Sequence, residues 1–285
     1  MKIKAKLEPG KIALVTGGSS GIGKAIACGL AKRGMHVWLV AQRKDLLASA
    51  LKEVESHKQS QSQLIGTVSA DVSDLDQVRM AVIQVSEKSG PPDLLVNSAG
   101  VAHPGYFQEL DMNIFHWMME VNYFGTVYMT KAVIPVMLRR GSGYIVNISS
   151  MAGFVGTFGY TAYGGSKFAV RGFSDVLRAE MKIHGIGVSI IFPPDTKTAQ
   201  LEYETRFKPL ETKALAGNTK VISPDEVADE TIKGIEHGKY LVLPGLETKL
   251  IYRLNGVFGG GLAFFMDQII AKAHGNPKVS HNKED

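Results

Sequence analysis

The chain has 285 residues, 45% of them hydrophobic and 21% charged, with a formal net charge of +5. These proportions exclude a disordered or low-complexity chain and suit one large soluble α/β domain. Basic and acidic residues are interspersed, so there is no stripe for nucleic acid; Cys28 is the only cysteine, which excludes an intrachain disulfide or a cysteine zinc cluster, and the singly scattered histidines offer no metal site.

Residues 1–10 read as a basic N-terminal extension, and the apolar run after them is too short for a signal segment or a membrane span. A cytoplasmic location is expected. Short β-branched runs then alternate with helical patterns: "KIALVT" (11–16), "HVWLV" (36–40), "LIGTVSA" (64–70), "DLLVN" (93–97), "GYIVNIS" (143–149), "GVSIIF" (187–192) and "KYLVLP" (239–244). Strands apolar throughout and separated by helices predict a Rossmann-type, doubly wound parallel sheet of seven strands with helices on both faces.

The loop after the first run, "VTGGSSGIGKAI", places Gly17, Ser19, Ser20, Gly21, Ile22 and Gly23 between a strand and a helix. Glycines there permit a tight turn and close approach of the backbone to a pyrophosphate, which the helix N-terminus attracts. At the second strand end a carboxylate would select NAD, but the chain reads Gln42-Arg43-Lys44. Arg43 and Lys44 suit a 2′-phosphate, so NADP(H) is the expected cofactor. Asp71 is a candidate for the adenine, with Ser73 and Asp76 expected to cap the next helix and leave Asp71 free.

Tyr163 and Lys167 stand four residues apart, on one face of a predicted helix. An ammonium near a phenol favours the phenolate, as a general acid or base requires. Together with "TGGSSGIG" (16–23), "DV" (71–72), "NSAG" (97–100), Asn122 in "MEVNYFG", Ser150 in "NISS" and the proline turn "FPPDTKT" (192–198), this chain resembles the short-chain dehydrogenase/reductase family over nearly its whole length. The resemblance implies a single catalytic domain over 11–243. In it Tyr163 exchanges a proton with the substrate oxygen, Lys167 supports Tyr163 and the nicotinamide ribose, Ser150 binds the carbonyl, and Asn122 holds a water for proton relay. It further implies cofactor contacts from Val72, Asn97, Ala99, Gly100, Pro193, Thr196 and Thr198, and a homodimer or homotetramer paired through the helices of Tyr163 and Asn122.

Within that family most members have Pro-Gly where this chain has Pro193-Pro194. "PPDTKT" followed by "KPLET" (208–212) resembles the members that reduce 3-ketodihydrosphingosine with NADPH, which implies an apolar ketone on a long-chain sphingoid base. Asp195 and Glu211 are then candidates for its ammonium, or else a turn cap and a surface charge. Residues 199–223 form a long connection expected to be a substrate lid. From 244 to 285 the chain reads as an apolar extension with a polar tail, in which Leu250, Leu254, Val257, Phe258, Leu262 and Phe265 share a helical face. This face suits an in-plane anchor on the cytosolic side of a membrane, a cover for the pocket, or a subunit contact. Two other readings stand beside the sphingoid one. The first is a reductase of another apolar ketone, such as a 3-oxoacyl thioester, a steroid or a xenobiotic carbonyl; the second is a non-catalytic NADP-binding sensor, against which the intact Ser150, Tyr163, Lys167 and Asn122 set argues.

Overall fold

Runs too apolar to face water become strands buried on both faces. In the computed structural model, which describes residues 2–217, 220–258 and 260–275, with the backbone alone at Gly260 and Leu262, these are β1 (Ile12–Thr16), β2 (His36–Ala41), β3 (Ile65–Ser69), β4 (Leu94–Asn97), β5 (Gly143–Ile148), β6 (Ile186–Ile191) and β7 (Leu241–Val242). Their order in one seven-stranded sheet is β3-β2-β1-β4-β5-β6-β7, and every pairing is parallel. All strands therefore end at the same edge, and the chain reverses its direction of build between β1 and β4, where doubly wound sheets hold ligands.

The helices between strands are α1 (Gly21–Ala31), α2 (Lys44–Glu55), α3 (Leu75–Ser89), α4 (Met112–Met118), α5 (Gly125–Arg140) and α6 (Thr161–Lys182). They are followed by α7 (Ala199–Phe207), α8 (Leu210–Ala216), α9 (Pro224–Glu236), α10 (Leu246–Phe258) and α11 (Gly260–His274). Ile26 and Leu30 of α1, Leu47 and Val54 of α2 and Ile235 of α9 pack one face of the sheet; Val78 and Val85 of α3, Met129 and Met137 of α5 and Leu177 of α6 pack the other. Burying both faces is what lets the strands be apolar without alternation. The N-terminal residues lie along α9, where the buried Ala5 donates its N–H to Ile235 O at 3.0 Å.

Three expectations need correction. Helix α3 is capped by Asp74, which accepts from Asp76 N and Gln77 N, and not by Ser73. Asp71 is not free, because its Oδ1 accepts from Ser73 N at 2.9 Å and Ser73 Oγ at 2.6 Å. The apolar tail is not one helical face. It breaks near its glycines into α10 and α11, whose axes bend by 113°, and among the described residues no single helix is long and apolar enough to cross a membrane.

Candidate active site

The edge where the strands end opens into a cavity lined by Gly17, Ser19, Ser20, Gly21, Ile22 and Gly23 of the β1–α1 loop. Gly17 is required there, because its φ is +63° and a Cβ would lie 2.7 Å from Ser98 O. Ser20 precedes α1 without a side-chain cap, and the first turn holds no acid, so its N–H groups are available to a pyrophosphate. Arg43 lines the cavity at the end of β2, with Asp71 and Val72 beyond β3, Ala99 and Gly100 beyond β4, and Pro193, Thr196 and Thr198 beyond β6. Such a polar trough with glycines at the turn and an uncapped helix start fits a dinucleotide.

Lys44 and Asn97, two expected cofactor residues, do not line the cavity. Lys44 is exposed at the start of α2, one residue past Arg43, which stands at the N-cap position of that helix without a side-chain cap bond. Asn97 is buried between strands, and its Nδ2 donates to Asn147 Oδ1 at 2.9 Å and Thr130 Oγ1 at 3.2 Å. It ties β4 to β5 beneath the cavity floor.

Ser150, Tyr163 and Lys167 meet in the same cavity, although Ser150 follows β5 and the other two lie on α6. The Lys167 ammonium sits 5.6 Å from the Tyr163 ring centre and donates to Ile148 O at 3.1 Å. Gly100 makes room for it, since a Cβ there would meet Lys167 Nζ at 3.3 Å and Asn122 Oδ1 at 3.2 Å. Lys167 is 5% exposed, and burial brings its ammonium down to about 8. Burial, with the charges of Glu204 and Asp195, pushes the Tyr163 phenol up, while the Ser150 hydroxyl works in the opposite direction. Burial thus outweighs the expected effect of the Lys167 ammonium in favouring the phenolate, and Tyr163 rests as a neutral phenol with a proton to give.

Asn122 does not line the cavity. It stands in a π-helical stretch, Met119–Phe124, and its side chain is occupied: Oδ1 accepts from Val101 N at 2.8 Å, while Nδ2 donates to Val101 O and to Ser166 Oγ, both at 2.9 Å. Ser166 Oγ in turn donates to Tyr163 O at 2.7 Å. These bonds tie the tyrosine's turn of α6 to the β4 loop through the Asn122 side chain.

A second cavity of about 570 Å³ joins the first at Ser150, Pro193, Pro194 and Asp195. Its walls are apolar: Met151 and Val155 after β5, Leu215 of α8, and Ile251, Leu254, Phe258, Phe265, Met266 and Ile269 of the two tail helices. Of the two proposed ammonium partners, Asp195 faces both cavities but is paired with Lys208 Nζ at 3.0 Å. Glu211 lines neither. It is buried against Tyr106 Oη at 2.9 Å and His274 Nδ1 at 2.8 Å, tying α8 to α11. Glu204 of α7 takes the place expected for it at the catalytic cavity, and sequence reasoning missed it. Its only signal was the spacing Gln200, Glu204, Lys208, which looks like an ordinary polar helix face.

The profile described as short chain dehydrogenase matches residues 11–208. The chain belongs to that family. Its members are oxidoreductases, and as one of them this enzyme uses a nicotinamide dinucleotide. It is 43% identical over 233 residues to a 3-ketodihydrosphingosine reductase of Bos taurus, covering 81% of this chain and 70% of the relative. It is 45% identical over 228 residues to a 3-dehydrosphinganine reductase of Danio rerio, covering 80% and 69%. Among solved structures, a short-chain dehydrogenase from Sphingobium yanoikuyae in complex with NADPH superposes with a TM-score of 0.75 at 26% identity, covering 89% of this chain and 95% of that one.

Proposed function

We propose that this enzyme reduces 3-ketodihydrosphingosine to dihydrosphingosine with NADPH. The observation that carries the reading is the apolar second cavity opening on Ser150: it is of a size to take a long alkyl chain and leaves the ketone at the catalytic tyrosine. The names of the relatives point to the same substrate. NADPH is favoured over NADH by Arg43 at the end of β2, where no carboxylate lines the cavity to meet a ribose 2′-hydroxyl.

When bound, the cofactor supplies the hydride that reduces the carbonyl carbon. Ser150 donates a hydrogen bond to the carbonyl oxygen and holds it beside Tyr163. The Tyr163 phenol gives that oxygen its proton, so one hydride and one proton yield the secondary alcohol. The phenolate left behind is stabilised by the Lys167 ammonium until solvent reprotonates it. Asn122 keeps this turn of α6 in register. Residues 199–223, with α7 and α8, act as a lid over both cavities.

Two further surfaces belong to the proposal. Leu246, Leu250, Val257 and Phe264 are exposed on the tail helices whose other sides close the apolar cavity, and we read them as resting on the cytosolic face of a membrane, where such a substrate dissolves. On the outer face of α6, Gly165 and Gly172 open beside exposed Phe168 and Val176, a surface suited to a second copy of the chain. Flotation with liposomes and light scattering after gel filtration test these two readings.

The deciding experiment measures NADPH oxidation with 3-ketodihydrosphingosine, a 3-oxoacyl thioester and a ketosteroid. The expected order of kcat/KM puts the sphingoid ketone first; a higher value for either of the others moves the function to that class.

A further inference from the structure

We infer that Glu204 anchors a cationic group of the substrate, an ammonium on the carbon next to the ketone. The inference rests on the amino-ketone reading above and deepens it, since it names the residue that distinguishes such a substrate from other apolar ketones.

Glu204 is 7% exposed and yet lines the catalytic cavity with Ser150, Tyr163 and Asp195. Both its oxygens are held by neutral donors: Oε2 accepts from Tyr160 Oη at 2.6 Å, and Oε1 accepts from Gln200 Nε2 at 2.9 Å. Among the described residues no lysine, arginine or histidine nitrogen lies within salt-bridge distance of it. Its neighbour Asp195, by contrast, has Lys208 at 3.0 Å. A carboxylate taken from water without a cation is costly, and the cost is offset where a ligand brings the cation.

Position and chemistry agree. Burial raises the Glu204 carboxyl above its usual range, more than the bonds from Tyr160 and Gln200 and the charge of Lys208, which sits beyond salt-bridge distance, lower it; a cation in direct contact would draw it back to the ionised form. Glu204 lines the same cavity as Ser150 and Tyr163, so a cation resting on it shares that cavity with the carbonyl that Tyr163 protonates. Tyr160, whose ring centre is 5.6 Å from that of Tyr163, fixes the carboxylate against the start of α6. Each oxygen retains a lone pair for an ammonium hydrogen. The competing acids are spent, Asp195 on Lys208 and Glu211 on Tyr106 and His274.

The test compares kcat/KM for 3-ketodihydrosphingosine and for its des-amino analogue of equal chain length, with NADPH, in the wild type, Glu204→Gln and Asp195→Asn. Glutamine keeps the shape and removes the charge, so the wild-type preference for the amine should fall about 100-fold in Glu204→Gln, as for one lost partner of a buried charge pair. Asp195→Asn should lower it by less than about 10-fold. Thermal melting checks folding, and Glu204→Gln should melt no lower than the wild type, since it removes a buried charge without a cation. An unchanged preference, or an equal loss on both ketones, overturns the inference and leaves Glu204 as a prop for Tyr160. If the wild type reduces both ketones alike, the ammonium anchor fails while the apolar-ketone reductase stands. If it reduces neither, the substrate reading itself fails.

Discussion

The two cavities meet at Ser150, Pro193, Pro194 and Asp195, yet they are made of different materials. The first is built on strand ends and the turns that leave them, held by a parallel ladder in which Thr16 pairs with Asn97 and Asn97 with Asn147. The second is closed mainly by side chains of α8, α10 and α11, laid over the residues that follow β5 and β6. A rigid ladder fixes the groups that must be placed to a fraction of an ångström for proton transfer, while helices laid over it are free to define the substrate. Chemistry and recognition of the alkyl chain thus sit on separate elements that touch along the proline turn.

If that division holds, removing the proton donor of the first cavity should stop turnover whatever the ketone. Tyr163→Phe keeps the ring and removes the proton; kcat for reduction should drop about 1000-fold with every substrate, while NADPH binding followed by fluorescence persists. Retained turnover breaks the assignment of the first cavity to chemistry.

Lys167 gives a stability counterpart. Burial lowers its folded-state value to about 8 from 10.5, so below pH 8 the folded protein carries a charge it disfavours. Lys167→Met should therefore abolish reduction and at pH 7 stabilise the free protein by up to about 3 kcal/mol. Since the unfolded chain keeps its proton up to its own higher value, the wild type gains stability as pH rises from about 8 towards 10.5, and the difference should shrink across that window. Chemical denaturation at several pH values measures it, and a variant less stable than wild type at pH 7 would sink the argument.

Arg43→Ala should collapse the preference for NADPH over NADH about 20-fold, as expected for one charged hydrogen-bonding partner of a phosphate. A constant ratio moves the cofactor choice away from β2. The smallest effect belongs to the second cavity. Each methylene added to the ketone's chain should raise kcat/KM about 4-fold until the cavity is filled, and Leu254→Asp should flatten that series. A flat series in the wild type would show that the chain does not enter between α8, α10 and α11.

Much of the first cavity was legible because its parts are local. The glycine loop, the strand-end residues and the four-residue spacing of Tyr163 and Lys167 each carry their geometry in a few consecutive positions, and parallel strand ends must gather at one edge. The second cavity and its charges were legible only in part. Asp195 and Glu211 looked alike as acids near a proline turn, but their partners, Lys208 for one and Tyr106 with His274 for the other, come from residues 13, 105 and 63 positions away. No local pattern announces such partners.

From the sequence alone came the sheet, the family resemblance and the trio of Ser150, Tyr163 and Lys167, since strand periodicity and short motifs are properties of neighbouring residues. Only the tertiary structure decided that the tail bends into two helices over an apolar cavity, that Asn122 is locked onto Val101 and Ser166, and that Glu204 lines the catalytic cavity with no described cation within salt-bridge distance. The physical reason is that burial and charge pairing are set by which elements pack together, and a carboxylate becomes significant when packing removes its water and brings no cation into direct contact.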